Sequence, residues 1–321
     1  MPIDKPTLRQ KLEFAGLSLG AWVVQRLPYP WLRHIANIMG LIAYAVDRRG
    51  REVSMANLTS AFGKKYTQTE KARIAKGSYQ TFARTMLELV WSPNLNEQSL
   101  KKIAKIDGLD QACFSDPTRP VILLCLHASN FEWISQAMVP TIGPGILVAQ
   151  KIKNPLLGPL FDKLRSSTGH QIIPQERSML RMFKHLKAGG NFNLAVDLNL
   201  DPKEPSVIID EFSGLKTCVT QMHAALALRT GAAIVPASAL PLPDGTYHIT
   251  YHEAITFPPE ATPAEIAQQC WDVLKPEIIE HPELWLWSYK HWRFRPENDE
   301  SGRYPFYANT AKRFDKKLAA S

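Results

Sequence analysis

The feature that most limits the fold of this chain is an alternation of short apolar runs and helical stretches between residues 121 and 255. The apolar runs are too short for typical helices and predict buried strands. They are PVILLCL (120–126), GILVAQ (145–150), HQIIP (170–174), FNLAVDL (192–198), SVIID (206–210) and AIVPASAL (233–240). The helical stretches between them are NPLLGPLFDKLRSSTG (154–169), SMLRMFKHLKAGG (178–190) and VTQMHAALALRTG (219–231). This rhythm predicts one α/β domain, in which a single mixed, mainly parallel sheet is flanked by helices.

Further elements surround this core. The alternating segment TYHITYHEAI (246–255) predicts an antiparallel edge strand. Thr67 and Glu70 form a capping box that starts a long helix, and TPAEIAQQCWDVLKPEII (262–279) predicts the last helix. In the aromatic segment that follows (284–296), we expect Trp285 and Trp287 to pack in the core, with a membrane belt as the alternative.

Two charge-free stretches of twelve residues, FAGLSLGAWVVQ (14–25) and IANIMGLIAYAV (35–46), dominate the N-terminus. Both are shorter than the roughly 18–20 apolar residues of a membrane span, and prolines 28 and 30 separate them into two helices. Basic residues flank them at Lys5, Arg9, Lys11, Arg26, Arg33 and within the segment RRGR (48–51). The pattern predicts helices in a membrane interface, with core-packing helices as the alternative. We therefore divide the chain into an anchoring segment (1–51), an α/β domain (52–296) and a basic tail (297–321), which we expect to be mobile or to touch the membrane.

Charge and cysteine content restrict the partners and the compartment. The formal net charge of +8 suits an anionic partner, such as a nucleic acid, an acidic carrier protein or an anionic membrane surface. The basic residues cluster near the termini and no recognition module is visible, which argues against nucleic acid. Cys113, Cys125, Cys218 and Cys270 form no CxxC pair or metal-ligand cluster. We expect no metal and a cytoplasmic location of the soluble face.

The segment VILLCLHASNFEW (121–133) contains the candidate catalytic residues. His127 follows a predicted strand, where open α/β sheets bind ligands, and Ser129 or Asn130 is placed to cap the next helix. Glu132 lies in the first turn of that helix, from which its carboxylate can fold back to orient the imidazole. His127 is therefore a candidate general base that deprotonates a hydroxyl. The alternative is that Glu132 is only a favourable acid at a helix start and His127 a turn residue.

This segment and several others, in the same order, resemble the lipid A biosynthesis lauroyl/myristoyl acyltransferase family. Its superfamily, the glycerolipid acyltransferases, carries a His-x4-Asp/Glu dyad that His127 and Glu132 match. The other matching segments are MANLTSAFG (55–63), LELVW (87–91), KNPLLGPLFDKLRSSTG (153–169), HLKAGGNFNLAVD (185–197) and GLKTCVTQMHAALALRTGAAIVP (214–236). The resemblance covers roughly residues 10–296. Two departures occur: Asp197 is followed by Leu198 and Asn199 where the family has Asp-Gln, and residues 211–214 read EFSG in place of Phe-Phe-Gly.

The resemblance implies transfer of an acyl chain from acyl carrier protein, or from acyl-CoA, to a hydroxyl of a lipid acceptor, with no further cofactor. It implies a location at the cytoplasmic face of a bacterial inner membrane. His127 is the expected base and Glu132 its orienting carboxylate, while Arg165 is expected to bind an anionic group of the acceptor. Asp197 is expected to position Arg165 or the acceptor, and Thr217 to contact substrate. The departures leave the acceptor open between a lipid A precursor and another glyco-, phospho- or aminolipid.

Two competing hypotheses remain. A thioesterase or other hydrolase would need an activated nucleophile, but the chain has no G-x-S-x-G elbow. A non-catalytic membrane lipid-binding protein with a decayed site would fit the two departures but not the presence of His127 and Glu132.

Overall fold

A computed structural model of the protein describes residues 6–116, 118–149, 152–175, 178–299 and 301–319. Residues 1–5 of the predicted anchoring segment, residue 150 of a predicted strand and the last two residues of the tail lie outside the described residues.

The strands of this part of the chain form one large sheet and two small ones. In chain order they are β1 (Ala104–Asp107), β2 (Val121–Cys125), β3 (Ile146–Ala149), β4 (Gln171–Pro174), β5 (Asn191–Ala195), β6 (Ser206–Phe212), β7 (Leu215–Thr220), β8 (Ala233–Pro241), β9 (Tyr247–Tyr251), β10 (Phe294–Arg295) and β11 (Asn309–Thr310). The large sheet has the order β1-β9-β8-β2-β5-β3-β4, and β6–β7 and β10–β11 pair separately. Strands β8, β2, β5, β3 and β4 are parallel, whereas β9 runs antiparallel to β8 and parallel to β1. The predicted mixed, mainly parallel sheet is confirmed.

Helices lie between and around these strands. They are α1 (Leu8–Val24), α2 (Tyr29–Val46), α3 (Arg48–Phe62), α4 (Gln68–Trp91), α5 (Glu97–Ile103), α6 (Ala112–Ser115), α7 (Phe131–Ala137), α8 (Val139–Ile142), α9 (Leu157–Arg165), α10 (Ser178–Lys187), α11 (Met222–Thr230), α12 (Pro263–Glu280) and α13 (Lys312–Leu318). The capping box of Thr67 and Glu70 starts α4 as predicted.

Both faces of the central strands are buried. In β2, Ile122 and Leu124 pack into one core and Val121 and Leu123 into the other, because successive strand side chains point to opposite faces. Helix α7 covers the second core through Trp133, Ile134 and Ala137, and α12 covers the first. A continuous apolar run such as VILLC is the sequence of a strand with helices on both faces.

The structure corrects two strand predictions. The segment SVIID does not enter the large sheet, because β6 pairs antiparallel with β7 in a hairpin closed by Ser213 and Gly214, both at positive φ. Strand β9 is antiparallel to its neighbour as predicted, but it is not at the edge, since β1 pairs with its other side.

The N-terminus forms two helices, α1 and α2, separated around Pro28 as predicted. Leu32, Ala36 and Gly40 form a buried stripe on α2. A Cβ at Gly40 would lie 2.4 Å from Cα of Gln80 in α4, so the close approach of these two helices needs glycine. Within the described residues, none of the helices has the length and apolar character needed to traverse a bilayer.

The C-terminal tail is folded in its described part, contrary to the expectation of a mobile appendage. Phe314 of α13 is fully buried against Ile208 and Cys218. Arg303 donates hydrogen bonds to the carbonyl oxygens of Ser213 and Ser60. A basic composition therefore did not make this segment independent of the domain, because its few apolar residues find a site on the β6–β7 hairpin.

Candidate active site

Two adjacent parallel strands bring His127 and Asp197 together. In the pairing of β2 with β5, Cys125 lies opposite Ala195, and each polar residue follows two positions further along its strand. The two side chains therefore meet at the carboxyl ends of the strands, where open α/β sheets place their ligand sites.

Asp197 binds His127 through both carboxylate oxygens. Oδ1 lies 2.7 Å from Nδ1 of the imidazole, and Oδ2 accepts the backbone N–H of His127 at 2.9 Å. Oδ2 also accepts the indole N–H of Trp285 at 2.7 Å. With Nδ1 bound in this way, Nε2 is the ring nitrogen that remains available to another group. Nε2 makes no hydrogen bond to any of the described residues.

The electrostatics favour a charged aspartate beside a basic imidazole. Burial alone would raise the pKa of Asp197, but His127 and the Trp285 indole outweigh it and lower that pKa to about 2. Burial lowers the pKa of His127, yet the charge and hydrogen bond of Asp197 dominate, with a contribution from Glu132, and raise it above 6.5. Such a raised pKa makes the neutral imidazole a stronger acceptor for a proton.

Glu132, predicted to orient the imidazole, makes its side-chain contacts elsewhere in this structure. Its carboxylate pairs with Arg165, whose Nη2 lies 2.6 Å from Oε1 and whose Nε lies 3.2 Å from both oxygens. Asn130, the N-cap of α7, donates its own side chain to Glu88 and accepts the N–H of Trp133. Glu132 lies in the first turn of α7, and Arg165 is the last residue of α9, so these two helices supply the two members of the ion pair. Their pairing follows from guanidinium and carboxylate geometry.

The observed contacts of Asp197 and Thr217 also differ from the predicted ones. Asp197 was predicted to position Arg165 or the acceptor, but its two oxygens are bound to His127 and Trp285. Thr217 was predicted to contact substrate, but it is fully buried. Its hydroxyl donates to the carbonyl of His291 at 3.1 Å and accepts from Asn199 at 2.8 Å. Thr217 is committed to the protein.

Trp285 contacts the site, whereas the sequence predicted it in the core, with a membrane belt as the alternative. It is fully buried, but its indole N–H holds Asp197. Ala128 forms a β-bridge with Trp285, which fixes the indole next to the segment that carries His127. The sequence contained one indication of this contact: tryptophan has an indole N–H, which needs a hydrogen-bond partner when the side chain is buried.

Two buried titratable groups lie behind the dyad. His291 stacks on Trp285 with ring centroids 3.8 Å apart, and burial lowers its pKa to about 4. Glu211 is fully buried, and burial raises its pKa well above the ordinary value. Burial therefore favours the neutral form of both groups, and the acidic group bound to the imidazole is Asp197.

A narrow cleft opens beside His127. Its walls combine hydroxyl and apolar side chains, from Ser78, Thr81, Phe82, Thr85, Ser129, Phe131, Leu284 and Leu286. Phe131 contacts the imidazole edge-on, with ring centroids 4.9 Å apart. The cleft has no room for a water molecule in this structure, so a reacting group would reach the imidazole only if the walls of the cleft move apart.

The fold and the site define an α/β protein with an aspartate-bound histidine at the carboxyl ends of parallel strands. Its sequence matches the profile of the bacterial lipid A biosynthesis acyltransferases over residues 5–294, and the chain belongs to this family. It is 24% identical to the lipid A biosynthesis lauroyltransferase of Escherichia coli K12 over 297 residues, which cover 90% of this chain and 94% of the relative. It is 25% identical over 252 residues to the phosphatidylinositol mannoside acyltransferase of Mycolicibacterium smegmatis, covering 78% of this chain and 82% of the relative. The family resemblance read from the sequence is confirmed.

Proposed function

We propose that this protein transfers a fatty acyl chain from a thioester donor, acyl carrier protein or acyl-CoA, to a hydroxyl of a membrane lipid, with His127 as general base. The observation that carries the proposal is the hydrogen bond between Nδ1 of His127 and Oδ1 of Asp197, which leaves Nε2 available as the base in a residue that lines an apolar and hydroxyl-bearing cleft. Asp197, and not Glu132, is the residue that orients the base.

The proposed reaction needs no covalent enzyme intermediate. Nε2 of His127 takes the proton of the acceptor hydroxyl as its oxygen attacks the thioester carbonyl carbon. Asp197 stabilises the imidazolium that forms. The tetrahedral intermediate then expels the thiolate, which takes the proton back from His127, and the products are an ester and a free thiol.

The Glu132–Arg165 pair is our candidate for binding an anionic group of the acceptor. Among the described residues, Nη1 of Arg165 has no hydrogen-bond partner, and 26% of the side chain is exposed. Glu132 orients the guanidinium through Nε and Nη2, so that the N–H groups of Nη1 remain available to an anionic group of the acceptor. A fixed guanidinium suits a phosphate or carboxylate better than a mobile one does.

The acceptor is proposed to be a lipid whose head group carries a free hydroxyl. The two relatives are named for lipid A and for a phosphatidylinositol mannoside. An acyl chain of ten or more carbons adds binding energy of about 0.8 kcal/mol for each methylene buried, so the length of the transferred chain should matter.

Membrane association is proposed from the surface of α1 and α2. Large apolar side chains are exposed along both helices, at Leu8, Leu12, Leu17, Leu19, Trp22, Trp31, Ile38, Met39, Ile42 and Val46. Arg26 lies 3.9 Å above the Trp22 ring, a basic and aromatic pair typical of a membrane interface. This surface would hold the site at the cytoplasmic face of a bacterial inner membrane, where lipid acceptors are found.

A second cavity favours anionic partners. It has a volume of about 390 Å³ and is lined by Arg48, Arg49, Lys290, Glu52, Val53 and Phe306. Together with the net charge of +8, it suits an acidic carrier protein, which long-range attraction would steer to the site.

The test compares the protein with His127→Ala in membranes supplied with acyl carrier protein thioester and extracted lipids. We expect acyl transfer to fall by roughly 10²–10⁴-fold, the range that a general base contributes. His248→Ala is the matched control, because His248 also pairs with an aspartate, Asp107, at 2.6 Å, but on the surface of β9. Unchanged transfer in His127→Ala would exclude the proposed base, and thiol release without an acceptor lipid would identify a thioesterase.

A further inference from the structure

The backbone of Ser129 is held in an unusual conformation beside the base. Its φ is +49°, in the left-handed region that non-glycine residues rarely adopt. Its N–H donates to the carbonyl of Leu284 at 2.8 Å, and its own carbonyl accepts the Thr85 hydroxyl at 2.6 Å. Strain of this kind persists where surrounding contacts fix it and is concentrated at functional sites.

The side chain of Ser129 is buried but unpartnered. Its residue exposure is 5%, and its hydroxyl has no hydrogen-bond partner within the described residues. A buried hydroxyl left in this state costs free energy, so it calls for an explanation.

The other hydroxyls of the same cleft show how unusual this is. Ser78 donates to the carbonyl of Trp285, Thr81 to that of Glu283, and Thr85 to that of Ser129. Each of these three donors is committed to the backbone. Ser129 is the hydroxyl of this cleft that still has a proton to give, and it lies two residues from His127.

We infer that the Ser129 hydroxyl donates a hydrogen bond to the oxyanion that forms when the acceptor oxygen attacks the thioester carbonyl. This inference rests on the proposed acyl transfer. As His127 removes the acceptor proton and the new C–O bond forms, the carbonyl electron pair moves to oxygen, and Ser129 stabilises that charge. When the C–S bond breaks, the carbonyl reforms and the hydrogen bond weakens. A donor that is fixed before the reaction stabilises the transition state without reorganising.

A nucleophilic role for this serine has less support. Ser129 makes no hydrogen bond to His127 in the described structure, so no base activates its oxygen. The nearby thiol is no better placed, since burial raises the pKa of Cys125 and its Sγ contacts the Leu194 carbonyl at 4.0 Å. Direct transfer with a hydrogen-bond donor agrees with these contacts.

The test uses two substitutions that remove the hydroxyl with opposite effects on the backbone. Ser129→Ala retains the cost of positive φ, whereas Ser129→Gly relieves it. Removal of one oxyanion donor should lower kcat by roughly 10²–10³-fold in both variants, with little change in KM. Ser135→Ala is the control, because Ser135 is also buried on the same segment but donates to the carbonyl of Glu132. A merely structural role predicts instead that Ser129→Gly keeps the wild-type kcat, and that result would overturn the inference.

A binding measurement separates this inference from the proposed function. Dodecylphosphonate imitates the tetrahedral anion, and dodecanamide imitates the planar carbonyl. By calorimetry with the full chain, we expect both Ser129 variants to bind the phosphonate about tenfold more weakly than the wild type and the amide equally well. Equal phosphonate affinity, or none in the wild type, would refute the role of Ser129, even if no acceptor lipid supports turnover. A wild-type protein that discriminates the phosphonate through Ser129 but transfers no acyl chain would instead contradict the proposed function. Mass spectrometry of quenched reactions gives a last check, because an acyl group on Ser129 would show that it is a nucleophile.

Discussion

At the scale of single residues, the site separates two carboxylates that both lie near one histidine. Glu132 is neutralised by Arg165 at 2.6 Å, whereas Asp197 keeps its charge beside His127 and is fully buried. Burial raises the pKa of the nearby Glu211 and so favours its neutral form. The two carboxylates are therefore distinguished by their partners, since Glu132 binds the Arg165 guanidinium and Asp197 binds the His127 imidazole.

The pH dependence should identify the carboxylate that orients the base. His127 must be neutral to accept a proton, so activity should rise with pH through its pKa, above 6.5. In Asp197→Asn the charge that raises this pKa is lost, so the acidic limb should move to lower pH while the maximal kcat falls by roughly 10²–10⁴-fold. The measurement is kcat against pH with saturating donor and acceptor.

Glu132→Gln is the comparison for this prediction. It should raise KM for an anionic acceptor more than it lowers kcat, because it releases Arg165 while the hydrogen bond from Asp197 to the base remains. A shift of the acidic limb in Glu132→Gln that equals or exceeds the shift in Asp197→Asn would return the orienting role to Glu132.

At the scale of elements, α4 joins the N-terminal helices to the sheet and to the segment of the site. Glu88 of α4 is fully buried and pairs with Arg84 at 2.8 Å. Its carboxylate also accepts the hydroxyls of Tyr29 and Tyr247 and the side-chain amide of Asn130. Because Asn130 caps α7, one carboxylate connects α2, α4, β9 and the helix that carries Glu132.

Substitution of Glu88 should destabilise the whole domain. Glu88→Ala leaves Arg84 buried without its counter-charge, and breaking a buried ion pair in this way costs about 3–5 kcal/mol of the free energy of unfolding. Urea unfolding followed by circular dichroism measures it. Glu97→Ala is the control, since Glu97 pairs with Lys101 at an exposed position and its loss should change little. A Glu88 variant as stable as that control would show that the network adds no stability.

At the scale of the whole molecule, charge and exposed apolar surface act together. The described N-terminal helices leave Leu19 and Trp22 more than half exposed, and the chain carries a net charge of +8. Monomeric soluble proteins rarely expose large apolar patches without a partner. The partner that we propose is the bilayer, which matches both the apolar side chains and the basic residues of this segment.

We therefore expect the full chain to sediment with vesicles that contain anionic phospholipid. The double variant Leu19→Asp with Trp22→Asp should reduce the bound fraction at least tenfold, because each aspartate must be desolvated to enter the interface. Leu180→Asp is the matched control, since Leu180 is similarly exposed but lies on α10. A full-length protein that stays in the supernatant at low salt without detergent would contradict the attachment.

Many helices and strands were predictable because they depend on residues that are close together in the sequence. The apolar runs of β2, β5 and β8 and the capping box of α4 were identifiable from spacing and side-chain type, and the cap of α7 was narrowed to Ser129 or Asn130, of which the structure uses Asn130. Strand β1 was not predicted, because AKID contains two charged residues among four and pairs with β9 from far along the chain. The position of β6 outside the large sheet was also not predicted, because it results from the pairing of β6 with the next strand in the sequence, β7.

The sequence by itself determined that His127 follows a buried strand and that Glu132 lies in the first turn of the next helix, because both follow from periodicity and capping within a dozen residues. The tertiary structure decided which carboxylate meets the imidazole. Asp197 reaches His127 across 70 positions because β5 lies beside β2, and Trp285 reaches Asp197 across 88 because its segment bridges to Ala128. Strand order and long-range packing minimise the energy of the whole chain, so no local pattern specifies them.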